Sequence, residues 1–325
     1  MPQLAYVLAA SHSGSTLLSM LLSSHPQIAT VGEIKLSASA MGEIDCYRCS
    51  CGEFIRKCRF WTKVKEGMAA RGHGFDISNA RTDYREVESR YARWLLGPLH
   101  RGMLLESLRD GALGISPAWR KHLAEVQGRN AALVSTIAEI TGARVIADSS
   151  KTAVRLKYLL RNAELQIKII RLIRDGRGVA LTYMDPASFA DARDPALRSG
   201  GSGGQREKER LSMAQAAYQW RRSNEEAENV LRGVGKSQWV QVGYEDLCEH
   251  TANTLVRLFE FLGLDPSKRA RDFRTVENHV VGNGMRLDTT SEIQLDERWR
   301  ENLTEQDLRV FNGVAGELNK RYEYL

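Results

Sequence analysis

The sequence predicts an α/β fold in which a central parallel sheet is covered by helices on both faces, giving three layers. Two observations carry this. Four buried-strand candidates, the continuous apolar run 4–10 and the apolar-rich runs 143–147, 166–172 and 238–242, alternate with helical segments, the pattern of a parallel sheet covered on both faces. Each run also ends in polar or charged residues, and in open parallel sheets ligands collect at the carboxyl ends of strands.

Run 4–10 leads directly into Ser11-His12-Ser13-Gly14-Ser15-Thr16 and a helical stretch at 17–23. A nucleoside-triphosphate loop reads Gly, four residues, Gly, Lys, then Ser or Thr, with the lysine reaching the β- and γ-phosphates. Here Ala9 stands at the first glycine position and Ser15 at the lysine position. What remains is P-loop-like: a strand, a glycine that lets the backbone come close, and a helix N-terminus whose free N–H groups attract an anion. Such a loop suits a nucleotide without a γ-phosphate.

The remaining elements follow in order. A shorter extended segment, 28–31, leads to Gly32-Glu33. Residues 76–142 read as helical cover. Run 143–147 is followed by Asp148-Ser149-Ser150-Lys151, and run 166–172 by Arg174-Asp175-Gly176-Arg177, with a helix from near Gly178 that carries Thr182. A glycine-rich stretch at about 190–206 reads as a mobile loop before a helix at 207–231. Run 238–242 precedes Tyr244-Glu245-Asp246.

A chain of 325 residues with no low-complexity linker reads as a single domain, 1–325. Its 46 Lys and Arg against 40 Asp and Glu give a net charge of +6, an excess suited to anionic ligands but without the basic blocks of a nucleic-acid tail. No run is long enough to span a membrane, and run 4–10 lacks the length and basic flank of a secretory signal, which points to the cytoplasm. In that reducing setting the cluster Cys46, Cys49, Cys51 and Cys58, inside an insert at about 42–62, suggests a structural zinc ahead of disulfides or buried free thiols. The Cys49-x-Cys51 spacing is tighter than that of a paired Cys-x-x-Cys knuckle, so all three remain open. Trp94, Trp119, Trp220, Trp239 and Trp299 read as core or helix-packing residues, with Trp299 the exception that could stack on a ligand.

Arg174 and Thr182, eight residues apart, offer a guanidinium fork and a hydroxyl for a second phosphate. Together with the lysine-free loop, they make the chain resemble the sulfotransferases that use 3′-phosphoadenosine 5′-phosphosulfate (PAPS). The matching segments are 13–18 (Ser-Gly-Ser-Thr-Leu-Leu), Asp148-Ser149-Ser150-Lys151, 172–180 (Leu-Ile-Arg-Asp-Gly-Arg-Gly-Val-Ala), Tyr244-Glu245-Asp246-Leu247 and Gly282-Asn283-Gly284-Met285-Arg286. The resemblance implies transfer of a sulfuryl group from PAPS to a hydroxyl acceptor, a small metabolite or a glycan, with release of adenosine 3′,5′-bisphosphate. It implies that Ser13, Gly14, Ser15, Thr16 and Leu17 hold the 5′-phosphosulfate, and Arg174 and Thr182 the 3′-phosphate. It further implies that Arg286 is a second phosphate contact and that Tyr244 lies near the nucleotide.

Lys151 at its strand end would stabilise charge on the departing oxygen. His12 stands where the family usually has Lys or Arg, so a permanent cation is replaced by a group that titrates near neutrality. Glu33 is the expected base, as in the tyrosylprotein branch of the family. The cytosolic branch uses a histidine near the second strand end, where this chain has Asp148 and Lys151. The alternatives are a Mg²⁺-dependent kinase or NTPase on the same architecture, against which the missing loop lysine counts, and a nucleotide- or zinc-binding module without turnover. Neither the acceptor nor the oligomeric state follows from these residues.

Overall fold

Five strands form one all-parallel sheet: β1 (Gln3–Ala9), β2 (Ile28–Thr30), β3 (Val145–Lys151), β4 (Gln166–Ile173) and β5 (Trp239–Gly243), in the order β2-β3-β1-β4-β5. They come from a computed structural model, which describes residues 2–35, 45, 47–97, 102–189, 192 and 210–324. The four apolar runs all become strands. The fifth, β2, is the short extended segment, whose Ile28, Ala29 and Thr30 pair with Val145, Ile146 and Ala147 of β3.

Period-2 alternation along β1 explains the layers. Leu4, Tyr6 and Leu8 face one core, which is shared with Trp61, Val64 and Met68 of the Arg59–Ala70 helix and with Leu133 and Ile137 of the Pro117–Thr141 helix. Ala5, Val7 and Ala9 face the other, against Leu18 and Leu21 of the Ser15–Leu22 helix and Leu255 and Leu258 of the Thr251–Phe261 helix. A third cluster, with Trp220 and Phe311 at its centre, packs the Met213–Leu231 and Glu305–Arg321 helices against the Gly176–Met184 helix.

Boundaries differ from the sequence reading in several places, the helix expected at 207–231 for instance beginning at Met213 behind the Ser212 cap. β3 does not stop at Ala147 but runs on through Asp148-Ser149-Ser150-Lys151, with an irregularity opposite Tyr6 and Leu8. A polar extension is tolerated because Asp148, fully buried, is neutralised by buried Arg155 and accepts the backbone N–H groups of Ile34 (3.1 Å) and Ser150 (2.9 Å). The helix after Arg174 starts at Gly176 rather than near Gly178, because the Asp175 side chain caps it by accepting the Arg177 N–H. Of the expected cover at 76–142, Arg90–Leu95, Gly102–Ile115 and Pro117–Thr141 are helical, while Asp76 and Asn79 form an isolated bridge instead. Apart from Ala192, the expected mobile loop through residue 206 lies outside the described residues from 190 onward.

The strand order locates the ligand crevice. From β1 the chain crosses to β2 on one side, returns to β3 and then passes over β1 to β4 and β5 on the other. The connections after β1 and β4 therefore diverge, and the crevice between these two strand ends is the topological switch point. Among the described residues no helix is long and apolar enough to cross a membrane.

Candidate functional site

The loop after β1 is shaped by two residues in left-handed backbone conformation, His12 (φ 63°) and Gly14 (φ 86°). Gly14 occupies the N-cap of the Ser15–Leu22 helix without offering a side-chain cap, and the first turn holds no acidic residue. The N–H groups there are left for an exogenous acceptor. Within the loop the Ser13 hydroxyl is buried and has no hydrogen-bond partner, a polar atom whose burial is costly until something fills the position. Ser15, Thr16 and Leu17 are buried in the same first turn.

Gly14 is also required for space. A Cβ there would lie 2.5 Å from Cδ2 of Tyr244, whose ring covers the loop. Gly14→Ala should therefore lower stability in urea unfolding by about 1–2 kcal/mol from the backbone alone, and displace the Tyr244 ring as well. Unchanged stability would mean that the loop relaxes freely.

Tyr244 carries the Arg174 guanidinium on its other contact, 4.4 Å from the ring centroid. Arg174 is buried and reaches back to the first loop, donating to the His12 carbonyl (2.9 Å). It also donates to the Asp296 carbonyl (3.0 Å) and pairs with the Asp296 carboxylate (2.9 Å). Its backbone is fixed from three sides: Trp220 Nε1 donates to the Arg174 carbonyl (3.1 Å), Glu245 accepts the Asp175 N–H (3.1 Å) and Asn319 accepts the Gly176 N–H (2.9 Å). Thr182 is buried one turn along the helix, where its hydroxyl donates to the Gly178 carbonyl (3.0 Å), and the Arg174 fork lies directly over Gly178. Arg174 and Thr182 thus meet around one residue, next to the loop.

Asp296 is a partner that sequence reasoning missed, since the segment was read only for Trp299. Its carboxyl lies well below the usual carboxylate range: burial opposes this, but the Arg298 hydrogen bonds and the charges of Arg174 and Arg298 outweigh it. A cavity of about 200 Å³ beyond Arg174 is lined by Asp175, Glu245, Asp296, Glu297 and Glu323 as well as Arg177 and Arg300. With that surplus of carboxylates it disfavours an anion.

At the neighbouring strand ends, the Lys151 ammonium and the Glu33 carboxylate form an ion pair, and Lys35 approaches Glu33 at 3.4 Å. Lys151 itself holds φ 69°. Burial alone would raise the Glu33 pKa, but Lys151 first and Lys35 second hold it at about 2. Glu33 is positioned by its neighbours. Gly32 (φ 78°) passes so close to the Val281 carbonyl that a Cβ would sit 2.0 Å from it, and its own carbonyl accepts the Ser149 N–H (2.8 Å). Asp148 holds the following residue, so its role is to fix this turn rather than to act on a ligand.

Two predicted contacts have other partners here. Arg286, buried, donates to the carbonyls of Gly282 (2.7 Å), Asn283 (3.1 Å) and Arg48 (2.7 Å), and only its Nε lacks a partner. It clamps the segment 282–286 to the cysteine insert, while Gly282 packs beside Thr16 at the helix start. The His12 ring packs edge-on against Tyr183 with centroids 4.7 Å apart. Trp299 is buried between the guanidinium groups of Arg177 (4.0 Å) and Arg300 (4.6 Å), whereas Trp94, expected to pack, is 71% exposed.

Of the four cysteines expected to act together, Cys46 lies outside the described residues. Cys49, Cys51 and Cys58 do converge, and among the described residues the fourth group beside them is His279. No periodicity or spacing links a histidine to thiols more than two hundred positions away.

With this geometry in place, comparison with known proteins assigns the class. The profile of the sulfotransferase family matches residues 5–268, and the chain belongs to that family. Among curated proteins none matches significantly. Solved structures similar to the chain include the sulfotransferase domain from the curacin biosynthetic pathway (17% identity, covering 96% of this chain and 97% of that one, TM-score 0.45). Others are the sulfotransferase domain of the Synechococcus PCC 7002 olefin synthase (16%, 96% and 94%, 0.43) and the sulfotransferase STF9 from Mycobacterium avium (13%, 98% and 76%, 0.49).

Proposed function

We propose that this sulfotransferase takes its sulfuryl group from PAPS, passes it to a hydroxyl acceptor and releases adenosine 3′,5′-bisphosphate. The observation that carries this reading is the hydrogen bond from Arg174 to the His12 carbonyl, which joins the uncapped helix N-terminus and the guanidinium fork into one rim at the switch point. A ligand with phosphate on both sides of its ribose matches such a rim. The residues present fit that donor: the orphaned Ser13 hydroxyl and the free N–H groups of the first helical turn suit the 5′-phosphosulfate, and Arg174 with Thr182 suits the 3′-phosphate.

The transferring sulfuryl group carries less charge than a phosphoryl group, so alignment and charge at the leaving oxygen matter more than a bridging metal. In this reading the acceptor oxygen bonds to sulfur, the bond from sulfur to the 5′-phosphate oxygen breaks, and Glu33 takes the hydroxyl proton. Lys151 serves twice. In the free protein it holds Glu33 ionised, and with donor bound it turns toward the departing phosphate oxygen, leaving the half-buried carboxylate with a weaker counter-charge and a higher proton affinity.

Thermal-shift measurements separate this reading from a kinase or NTPase. A ligand that binds only the native state raises Tm, so adenosine 3′,5′-bisphosphate without Mg²⁺ should raise it more than ADP or ATP with Mg²⁺. A larger, Mg²⁺-dependent shift with ATP would reverse the assignment. Binding of the bisphosphate without transfer of labelled sulfate to any of a broad hydroxyl panel would favour a module without turnover.

A further inference from the structure

We propose that Cys49, Cys51, Cys58 and His279 bind one zinc ion, which ties the cysteine insert to the strap 278–286. The site is independent of the nucleotide reading. Its four candidate ligand atoms, three Sγ and the His279 Nδ1, all lie within 4.8 Å of one another. A tetrahedral zinc with Zn–S of about 2.3 Å and Zn–N of about 2.0–2.1 Å requires S···S edges of about 3.8 Å and S···N edges of about 3.6 Å. Cys51 and Cys58 sulfurs are 3.7 Å apart, and the His279 Nδ1 lies 3.6 Å from the Cys49 sulfur and 3.4 Å from that of Cys58. These separations are much too long for a disulfide and close to the edges of a metal tetrahedron.

The backbone around the ligands is built to hold this arrangement. The Cys49 N–H donates to the Glu53 carbonyl and the Gly52 N–H to the Cys49 carbonyl, both at 2.9 Å, a tight turn that points successive thiols at one centre. Cys58 sits at the N-cap of the Arg59–Ala70 helix. Ser50, between the two thiols of the turn, ties in the strap: its hydroxyl donates to the Asn278 carbonyl (2.6 Å) and accepts the Val280 N–H (2.8 Å), on either side of His279. The histidine ring is fixed by stacking on Phe60, with centroids 4.3 Å apart and planes 5° from parallel. Its outer nitrogen, Nε2, faces Glu277 at 3.3 Å, the carboxylate–histidine pairing that orients metal-bound imidazoles. Three thiolates and an imidazole select zinc over the harder divalent ions, and with all four positions filled by protein the site is structural rather than catalytic.

The metal would act on the site at one remove. Val281 meets Gly32 and Gly282 meets Thr16, so the strap leaving His279 packs against both the Glu33 turn and the loop helix. Anchoring it at His279 fixes the wall of the crevice.

The test is metal content by plasma mass spectrometry on untagged full-length protein purified without chelator, with Co²⁺ substitution as the spectroscopic readout. About one zinc per chain is expected, and Co²⁺ should give the intense d–d bands of a tetrahedral site with thiolate-to-metal charge transfer. Stripping the zinc should lower Tm by several degrees. His279→Ala should lose the metal, Cys46→Ser should keep it, and His279→Cys, which restores a fourth ligand, should rebind Co²⁺ with stronger charge transfer. Should the histidine variants fail to fold, the wild-type cobalt spectrum and the Cys46→Ser metal content still decide. Wild-type protein that neither holds zinc nor gives a tetrahedral cobalt spectrum overturns the proposal. So does a Cys51–Cys58 disulfide found by mass spectrometry, or loss of the metal from Cys46→Ser with retention in His279→Ala.

Discussion

Replacing Arg174 with alanine should raise the Kd for adenosine 3′,5′-bisphosphate about 100-fold, or ~2.7 kcal/mol, while kcat at saturating donor stays within about threefold. The asymmetry follows from where Arg174 lies. Its guanidinium meets the proposed 3′-phosphate, a group of the donor far from the breaking S–O bond, so its contacts are made equally in the ground and transition states. The fold should survive, because the anchors of this elbow are backbone groups held by Trp220, Glu245 and Asn319, and Asp296 keeps its pair with Arg298. Arg174→Lys should recover only part of the affinity, since an ammonium cannot span the loop carbonyl and an anion as a planar fork does. Isothermal titration of both variants checks this. A Kd within a few fold of wild type, or a collapse of kcat with binding intact, would move the 3′-phosphate site elsewhere.

Much of this site was legible because strand ends announce themselves locally. A continuous apolar run, a glycine and a helix start are read within a dozen residues, and so β1, its loop and the Arg174 elbow could be placed from sequence alone. The extension of β3 through Asp148 was hidden because its tolerance of a buried charge depends on Arg155 and on Ile34, neither adjacent to it in sequence. The partners set by long-range packing were hidden for the same reason. Nothing in the order of residues tells that Asp296 shares Arg174, that Arg286 is engaged by the Arg48 carbonyl of the insert, or that, among the described residues, the fourth group beside three thiols is His279. Helical cover was legible as a type but not in its boundaries, because amphipathic periodicity does not distinguish a helix from the bridged turn at Asp76 and Asn79.

Glu33→Gln should show the reverse of the Arg174 pattern, a kcat lower by roughly 10²–10⁴-fold with bisphosphate affinity within about threefold of wild type. Glutamine keeps the shape and can still accept a hydrogen bond from Lys151, but it cannot take a proton. Glu33→Asp, which restores the charge one methylene short, should recover part of the rate, and that partial rescue separates a base from a residue that merely neutralises Lys151. The pH dependence sharpens the claim. A base works only when deprotonated, and in the free protein Glu33, held at about 2, is a carboxylate at all higher pH. The kcat/KM profile, which reports the free enzyme, should therefore lack an acid limb from this group in the ordinary carboxylate range. In the proposed donor complex Lys151 is shared with the departing phosphate, Lys35 is left as the counter-charge opposing burial, and the Glu33 pKa climbs. The acid limb of kcat should accordingly lie at higher pH than any in kcat/KM, and Lys151→Ala should abolish the difference between the two profiles. Coincident limbs in the wild-type enzyme would remove Glu33 from the proton transfer and leave its ion pair a purely structural one.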